Sequence, residues 1–170
     1  MNDTDKKFVK NRQNLQPSFS IYHPSQNGNG TAMAVRISPA RINSSGYVQI
    51  EIASQLTIGD IGRKVFPTFN WKERSIVRLS PLEVAEIIRC MRGDTDSIRN
   101  GAGFSHKTDG HESSIRFAHM KEPAECYRIV VKSDSVGGTE KNLAMSISLD
   151  EATALELALA SSMGRLCFGD

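Results

Sequence analysis

Two four-residue runs, Ser80-Pro81-Leu82-Glu83 and Ser148-Leu149-Asp150-Glu151, share one pattern and constrain the fold more than any other feature of the chain. In each, a serine hydroxyl can accept from the backbone N–H three residues on, while the glutamate there reaches back to the serine N–H, a reciprocal helix cap. Pro81 adds a residue whose fixed φ suits the first helical position. Behind the first box, Leu82, Val84, Ala85, Ile87, Ile88 and Met91 form an apolar stripe that stops at Gly93; behind the second, Ala152, Leu155, Leu159 and Met163 do the same up to Gly164. Ahead of each box lies a short strand-like run, residues 74–79 and the alternating Leu143, Met145 and Ile147. A strand running straight into a capped amphipathic helix, twice, predicts an internal duplication.

Alternation fills in the remaining strands. Residues 17–23, with Phe19 and Tyr22, end at the turn-rich Ser25-Gln26-Asn27-Gly28-Asn29-Gly30. In residues 31–37, Met33, Val35 and Ile37 oppose Ala32, Ala34 and Arg36. After an Asn43-Ser44-Ser45-Gly46 turn, residues 47–53 place Val48, Ile50 and Ile52 inward and Tyr47, Gln49 and Glu51 outward. Residues 54–73, interrupted by Gly59, Gly62 and Pro67, are irregular. The second half begins with a turn-rich connection reaching a strand at Phe104 and Ser105. Residues 112–120 set Ile115, Phe117 and His119 against Ser114, Arg116 and Ala118; residues 126–132 and a Ser135-Val136-Gly137-Gly138 turn lead to the last strand. The expected fold class is α+β, a ββββα–ββββα duplication in a single domain over residues 17–164, with a flexible tail at 1–16 and a short frayed one at 165–170.

A net charge of +2 is too small for bulk attraction to polyanions, so nucleic-acid binding would need a local arrangement of charge. Cys90, Cys126 and Cys167 are odd in number and lack C-x-x-C spacing, which predicts a reduced intracellular setting. No apolar run approaches the roughly 18 residues of a membrane span, and the first sixteen residues have no apolar signal core. These features predict a soluble, unprocessed, cytoplasmic protein. An enzyme would have to draw on His106, His111, His119 and Cys126, whose spacing fits no zinc pattern. Asn100-Gly101-Ala102-Gly103 lacks the strand–turn–helix context of a phosphate loop. The expectation is a non-catalytic protein without metal or cofactor.

Two segments resemble the Whirly proteins and, more distantly, the positive-cofactor-four coactivators and kinetoplast guide-RNA-binding proteins. Phe69-Asn70-Trp71-Lys72-Glu73-Arg74-Ser75-Ile76-Val77-Arg78-Leu79-Ser80 is similar to the family's aromatic, basic run into its first helix. Gly30-Thr31-Ala32-Met33-Ala34-Val35 is similar to its second strand, with Thr31 where the plant pattern has lysine. The resemblance follows the chain in order over residues 17–163. It implies two antiparallel four-stranded sheets packed roughly at right angles, and two helices that hold subunits together in a homo-tetramer. It further implies single-stranded DNA laid along the sheets with little sequence preference, in replication, recombination, repair or transcription. The expected localisation is cytoplasmic, as a nucleoid-associated protein of bacterial or phage type.

Single-strand binders need aromatic faces for bases and cations for phosphates. Tyr47, Phe69, Trp71 and Tyr127 are the candidate platforms, and Arg36, Lys72, Arg74, Arg78, Arg116, Arg128 and Lys132 the candidate phosphate contacts. Each has a plainer reading. Trp71 suits a partly buried core position, and strand arginines suit a solvated sheet face. Tyr47 faces outward by alternation and is the best single platform. DNA and RNA are not separable, because stacking accepts both. An RNA-binding or protein-interaction module on the same fold is the alternative, and apolar helix faces favour an oligomer in either case.

Overall fold

A computed structural model of the protein describes residues 18–60, 62–108, 110–134 and 140–170. Its elements run β1 (Ser18–His23), β2 (Thr31–Ser38), β3 (Tyr47–Thr57), β4 (Thr68–Phe69), β5 (Ser75–Leu79), α1 (Pro81–Met91), β6 (Phe104–Thr108), β7 (His111–Met120), β8 (Cys126–Asp134), β9 (Glu140–Ile147) and α2 (Leu149–Phe168). Every strand pairing among the described residues is antiparallel. The second sheet is the meander β6-β7-β8-β9, and the first is β1-β2-β3 with the far edge of β3 shared by two short strands. β5 pairs with Val48 to Ile52, and β4 pairs with Gln55 and Thr57. A 3₁₀ turn at Trp71–Glu73 interrupts this edge between them. The duplication is therefore ββββα twice over, with the fourth strand position of the first half broken in two.

Both capping boxes form. Ser80 N donates to Glu83 Oε2 at 2.8 Å and Glu83 N to Ser80 Oγ at 3.4 Å; the corresponding distances at Ser148 and Glu151 are 2.8 and 3.3 Å. The apolar faces of both sheets and both helices meet in one core. Val48, Ile50, Ile52 and Leu79 face Phe117, Ile129, Val131 and Ile147, closed by Ile87, Leu155 and Leu159. β5 lies against β7, β8 and β9, as a strand crossing the other sheet does, and Ile76 N donates to Ser133 Oγ at 3.1 Å.

Each cap is also held by the opposite half. His106 of β6 places Nε2 2.7 Å from Glu83 Oε1 at the start of α1, and His23 of β1 places Nε2 2.7 Å from Glu151 Oε1 at the start of α2. Burial acts to raise the Glu83 carboxyl, but hydrogen bonds from the Ser80 backbone and hydroxyl and from His106 outweigh it, leaving it below the ordinary 4.5. Burial likewise raises Glu151, and the His23 and Ser148 contacts bring it below the same value. A carboxyl lowered on folding adds stability that is complete above its unfolded value and vanishes as pH falls through its folded one. Wild-type melting temperature is accordingly expected to drop on acidification through and below 4.5, and Glu83→Gln/Glu151→Gln to flatten that limb in thermal scans against pH.

The fold departs from the sequence expectation in several places. Leu82 is 83% exposed, because it lies about 200° around the helix from Val84 and so off the buried stripe. The strand expected over residues 47–53 continues to Thr57, where the Gln55 carboxamide takes the backbone N–H groups of Ser25 and Gly30 at 2.7 and 3.1 Å. β6 runs to Thr108 rather than stopping at Ser105. α2 passes through Gly164 to Phe168, so residues 165–168 are helix and not a tail. Leu166 extends the buried stripe of Leu155, Leu159 and Ser162, and the last turn's carbonyls are capped from elsewhere: Ala40 N donates to Arg165 O at 2.9 Å and Gly46 N to Leu166 O at 3.1 Å. The proposed 1–16 tail and the Ser135-Val136-Gly137-Gly138 turn lie outside the described residues.

Candidate nucleic-acid interface

The face of the first sheet turned away from the core carries most of the residues singled out by sequence. Register builds it in rows: Arg36, Gln49 and Arg78 lie side by side across β2, β3 and β5; Ala34, Glu51 and Ile76 form the next row; Tyr22, Ala32 and Ala53 the one after. Ser18 and Ser20 are small and at least partly open, whereas Ala32, Ala34, Ala53 and Glu51 are buried, so the accessible groups of this face stand around that centre and at its two ends.

One end is aromatic. The Tyr22 and Phe69 rings are 5.6 Å apart, and Trp71 meets Tyr22 edge-on at 6.5 Å and 84°. Such tilted and edge-to-face pairs are the favoured arrangements of aromatic quadrupoles. Tyr22 is 54% exposed, and Phe69 and Trp71 are half-buried. The break in the edge strand explains the arrangement: the Trp71–Glu73 turn swings Trp71 back toward β1, leaving Lys72 exposed beside it. The other end pairs Tyr47 with Arg78, whose guanidinium sits 5.0 Å above the ring while its Nε donates to Gln49 Oε1 at 3.1 Å. Between the ends, Arg36 and Arg74 flank Glu51, with Nε–oxygen distances of 3.5 and 3.0 Å. Arg74 also donates through a terminal nitrogen to Trp71 O at 2.6 Å.

Arg116, Arg128 and Lys132 occupy the outward face of the second sheet and are not brought together with the others. Arg116 and Lys132 border a concavity of about 410 Å³ with Glu112, Asp134, Glu140 and Asn142. Three carboxylates face two cations there, and Lys132 Nζ lies 3.2 Å from Glu140, so this surface is less cationic than the sequence suggested.

Tyr127 is a correction. It is 5% exposed, stacks on Phe117 at 5.5 Å and on His119 at 4.8 Å, and donates its hydroxyl to Met91 O at 3.0 Å. Alternation along β8 turns it to the core side with Ile129 and Val131, opposite Arg128, so no base can reach it. Tyr22 and Glu51 lie on this face too, and neither is among the candidates read from sequence. Tyr22 had a usable signal, since Ser18, Ser20 and Tyr22 alternate with Phe19 and Ile21 and share the polar face. His23, His106 and His119 each face a glutamate, the last Glu125 at 2.9 Å, and no group of three His, Cys, Asp or Glu among the described residues is arranged to hold a metal.

This duplicated pair of sheets, each ending in a capped helix, is the Whirly-type fold. WHY1 from Arabidopsis thaliana superposes with a TM-score of 0.70 at 14% identity, over 91% of this chain and 86% of that one. The plant transcriptional regulator PBF-2 gives 0.66 at 18% identity, covering 89% and 82%. A guide-RNA-binding protein complex bound to a guide RNA gives 0.59 at 13% identity, covering 91% and 94%. No protein-family model and no curated protein matches the chain.

Proposed function

We propose that this protein binds single-stranded nucleic acid, DNA in the first place, without catalysing a reaction, and that bases and phosphates lie along the outward face of its first sheet. The observation that carries this is the run from the Tyr22–Phe69–Trp71 cluster through Arg36 and Arg74 to Tyr47 and Arg78 on one face of the sheet. Rings at both ends offer stacking that any base accepts, and the arginines between them follow a backbone, which favours binding with little sequence preference. Such activity suits the protection of strands exposed in replication, recombination, repair or transcription. Likeness in fold to a plant transcriptional regulator supports it, and likeness to a protein complex bound to guide RNA keeps RNA as the second reading. Leu82, Leu149, Leu157 and Phe168 stand exposed on the two helices, a surface suited to contact between copies, so the working form is a homo-oligomer, with a tetramer favoured.

The test is an anisotropy titration with labelled single-stranded DNA, the matching RNA and duplex DNA over a range of salt. Single-strand dissociation constants of about a micromolar or tighter, weakening as salt rises, support the reading; equally feeble binding to single strand and duplex overturns it. A tighter RNA curve moves the assignment to RNA.

A further inference from the structure

An anion at the centre of a surface built to meet phosphates is unexpected. Glu51 sits in the middle of β3 with its side chain 4% exposed, between Ala34 and Ile76 in its row. Stability does not call for a carboxylate there. A buried ion pair is commonly no better than well-packed apolar side chains of the same volume, because desolvation offsets the attraction. An apolar residue would suit a row that already holds Ala34 and Ile76, and it would remove a repulsive charge from the path of a strand.

What Glu51 does instead is visible in its partners. Arg36 is one row to one side on β2, and Arg74 precedes β5 on the other side, so the two arginines reach the carboxylate diagonally from opposite neighbouring strands. Each takes a different oxygen: Arg36 Nε is 3.5 Å from Oε1 and Arg74 Nε is 3.0 Å from Oε2, the latter an ion pair outside hydrogen-bond alignment. Gln49 Nε2 donates to Oε1 at 2.5 Å, and its Oε1 accepts from Arg78, which lies over Tyr47. Arg74 continues the chain to the Trp71 carbonyl. Directly or through Gln49, one carboxylate thus touches Arg36, Arg74 and Arg78 and links the two aromatic ends. The Arg36 and Arg74 side chains remain 32% and 33% exposed, so a phosphate can still reach guanidinium groups whose swing is limited. Long arginine side chains lose much conformational freedom when they grip a ligand, and holding them beforehand reduces that loss on binding.

We infer that Glu51 is a positioning residue for nucleic-acid binding: it orients Arg36 and Arg74 directly and Arg78 through Gln49, so that the cations stand in a fixed line between the two aromatic ends. The inference rests on the function proposed above. It makes a prediction opposite in sign to simple electrostatics. Glu51→Gln removes a negative charge from a cationic surface, which by charge alone tightens binding to a polyanion and steepens its salt dependence.

The experiment titrates labelled oligothymidylate into wild type, Glu51→Gln and Glu51→Asp across salt, with thermal melting on each. Positioning predicts about tenfold weaker binding by Glu51→Gln, with log affinity falling less steeply against log salt, by roughly one in slope, as phosphate contacts are lost. Glu51→Asp keeps the charge but shortens the reach, and it too weakens binding. In an Arg36→Ala/Arg74→Ala background, where only the indirect hold on Arg78 through Gln49 is left, Glu51→Gln weakens binding by less than about threefold, a coupling that a purely structural glutamate would not show. Binding by Glu51→Gln as tight as or tighter than wild type overturns the inference while leaving the proposed function standing. So does an undiminished loss in the double-alanine background, which remains readable if Glu51→Gln alone fails to fold. A wild type without single-strand preference removes the proposed function itself.

Discussion

Tyr22→Ala combined with Trp71→Ala is expected to abolish most single-strand affinity while leaving the fold intact. A base stacked on an aromatic ring contributes about 1–3 kcal/mol, so each ring lost costs about five- to 150-fold in affinity. Both rings stand on the outward face, Tyr22 more than half exposed and Trp71 half-buried at its edge, and neither belongs to the shared core. Phe69 remains in the double variant but loses its 5.6 Å neighbour, so it cannot fully replace them. The Arg74 bond to Trp71 is to the backbone carbonyl and survives truncation of the indole. Titration with labelled single strands measures the loss, and unchanged melting confirms that it is a loss of contact.

Tyr127→Ala is expected to do the reverse. Truncating a fully packed aromatic side chain costs about 3–5 kcal/mol through lost burial and the cavity left behind. The Phe117 and His119 rings on either side would face that cavity, and Met91 O at the end of α1 would lose its hydroxyl donor. Chemical denaturation of Tyr127→Ala is expected to show this loss, and the milder Tyr127→Phe only about 0.5–1.5 kcal/mol for the hydrogen bond. A destabilised Tyr127→Ala that binds single strands normally when folded separates core from interface.

The contrast between the two tyrosines shows what was legible in the sequence. Period and caps carry local information, so the two Ser-x-x-Glu boxes and the alternation of residues 47–53 and 112–120 located both helices and the central strands. The same alternation puts Tyr127 with Ile129 and Val131 on the inner side, a signal that outweighs its ring chemistry. Tyr22 carries the opposite signal, because Ser18 and Ser20 mark its face as polar. Other features depend on residues far apart in the chain, where a single sequence carries no pairing information. His23 and Glu151 are 128 residues apart, and nothing local announces that each capping glutamate will be met by a histidine from the opposite half. Glu51 read as an ordinary outward acid because its burial depends on arginines contributed by two other segments. The continuation of α2 beyond Gly164 depended on Ala40 and Gly46 capping its last turn, an arrangement only the folded chain supplies.

Trp71 is the chain's single tryptophan, which makes its emission a reporter on the proposed interface itself. The most direct test follows Trp71 fluorescence and the anisotropy of a labelled oligothymidylate in the same titration. If bases stack at the Tyr22–Phe69–Trp71 end of the first sheet, quenching and anisotropy rise together to one saturation point, and added salt reverses both. Saturable anisotropy with Trp71 emission unchanged would contradict the account, because the strand would then be bound somewhere other than this face.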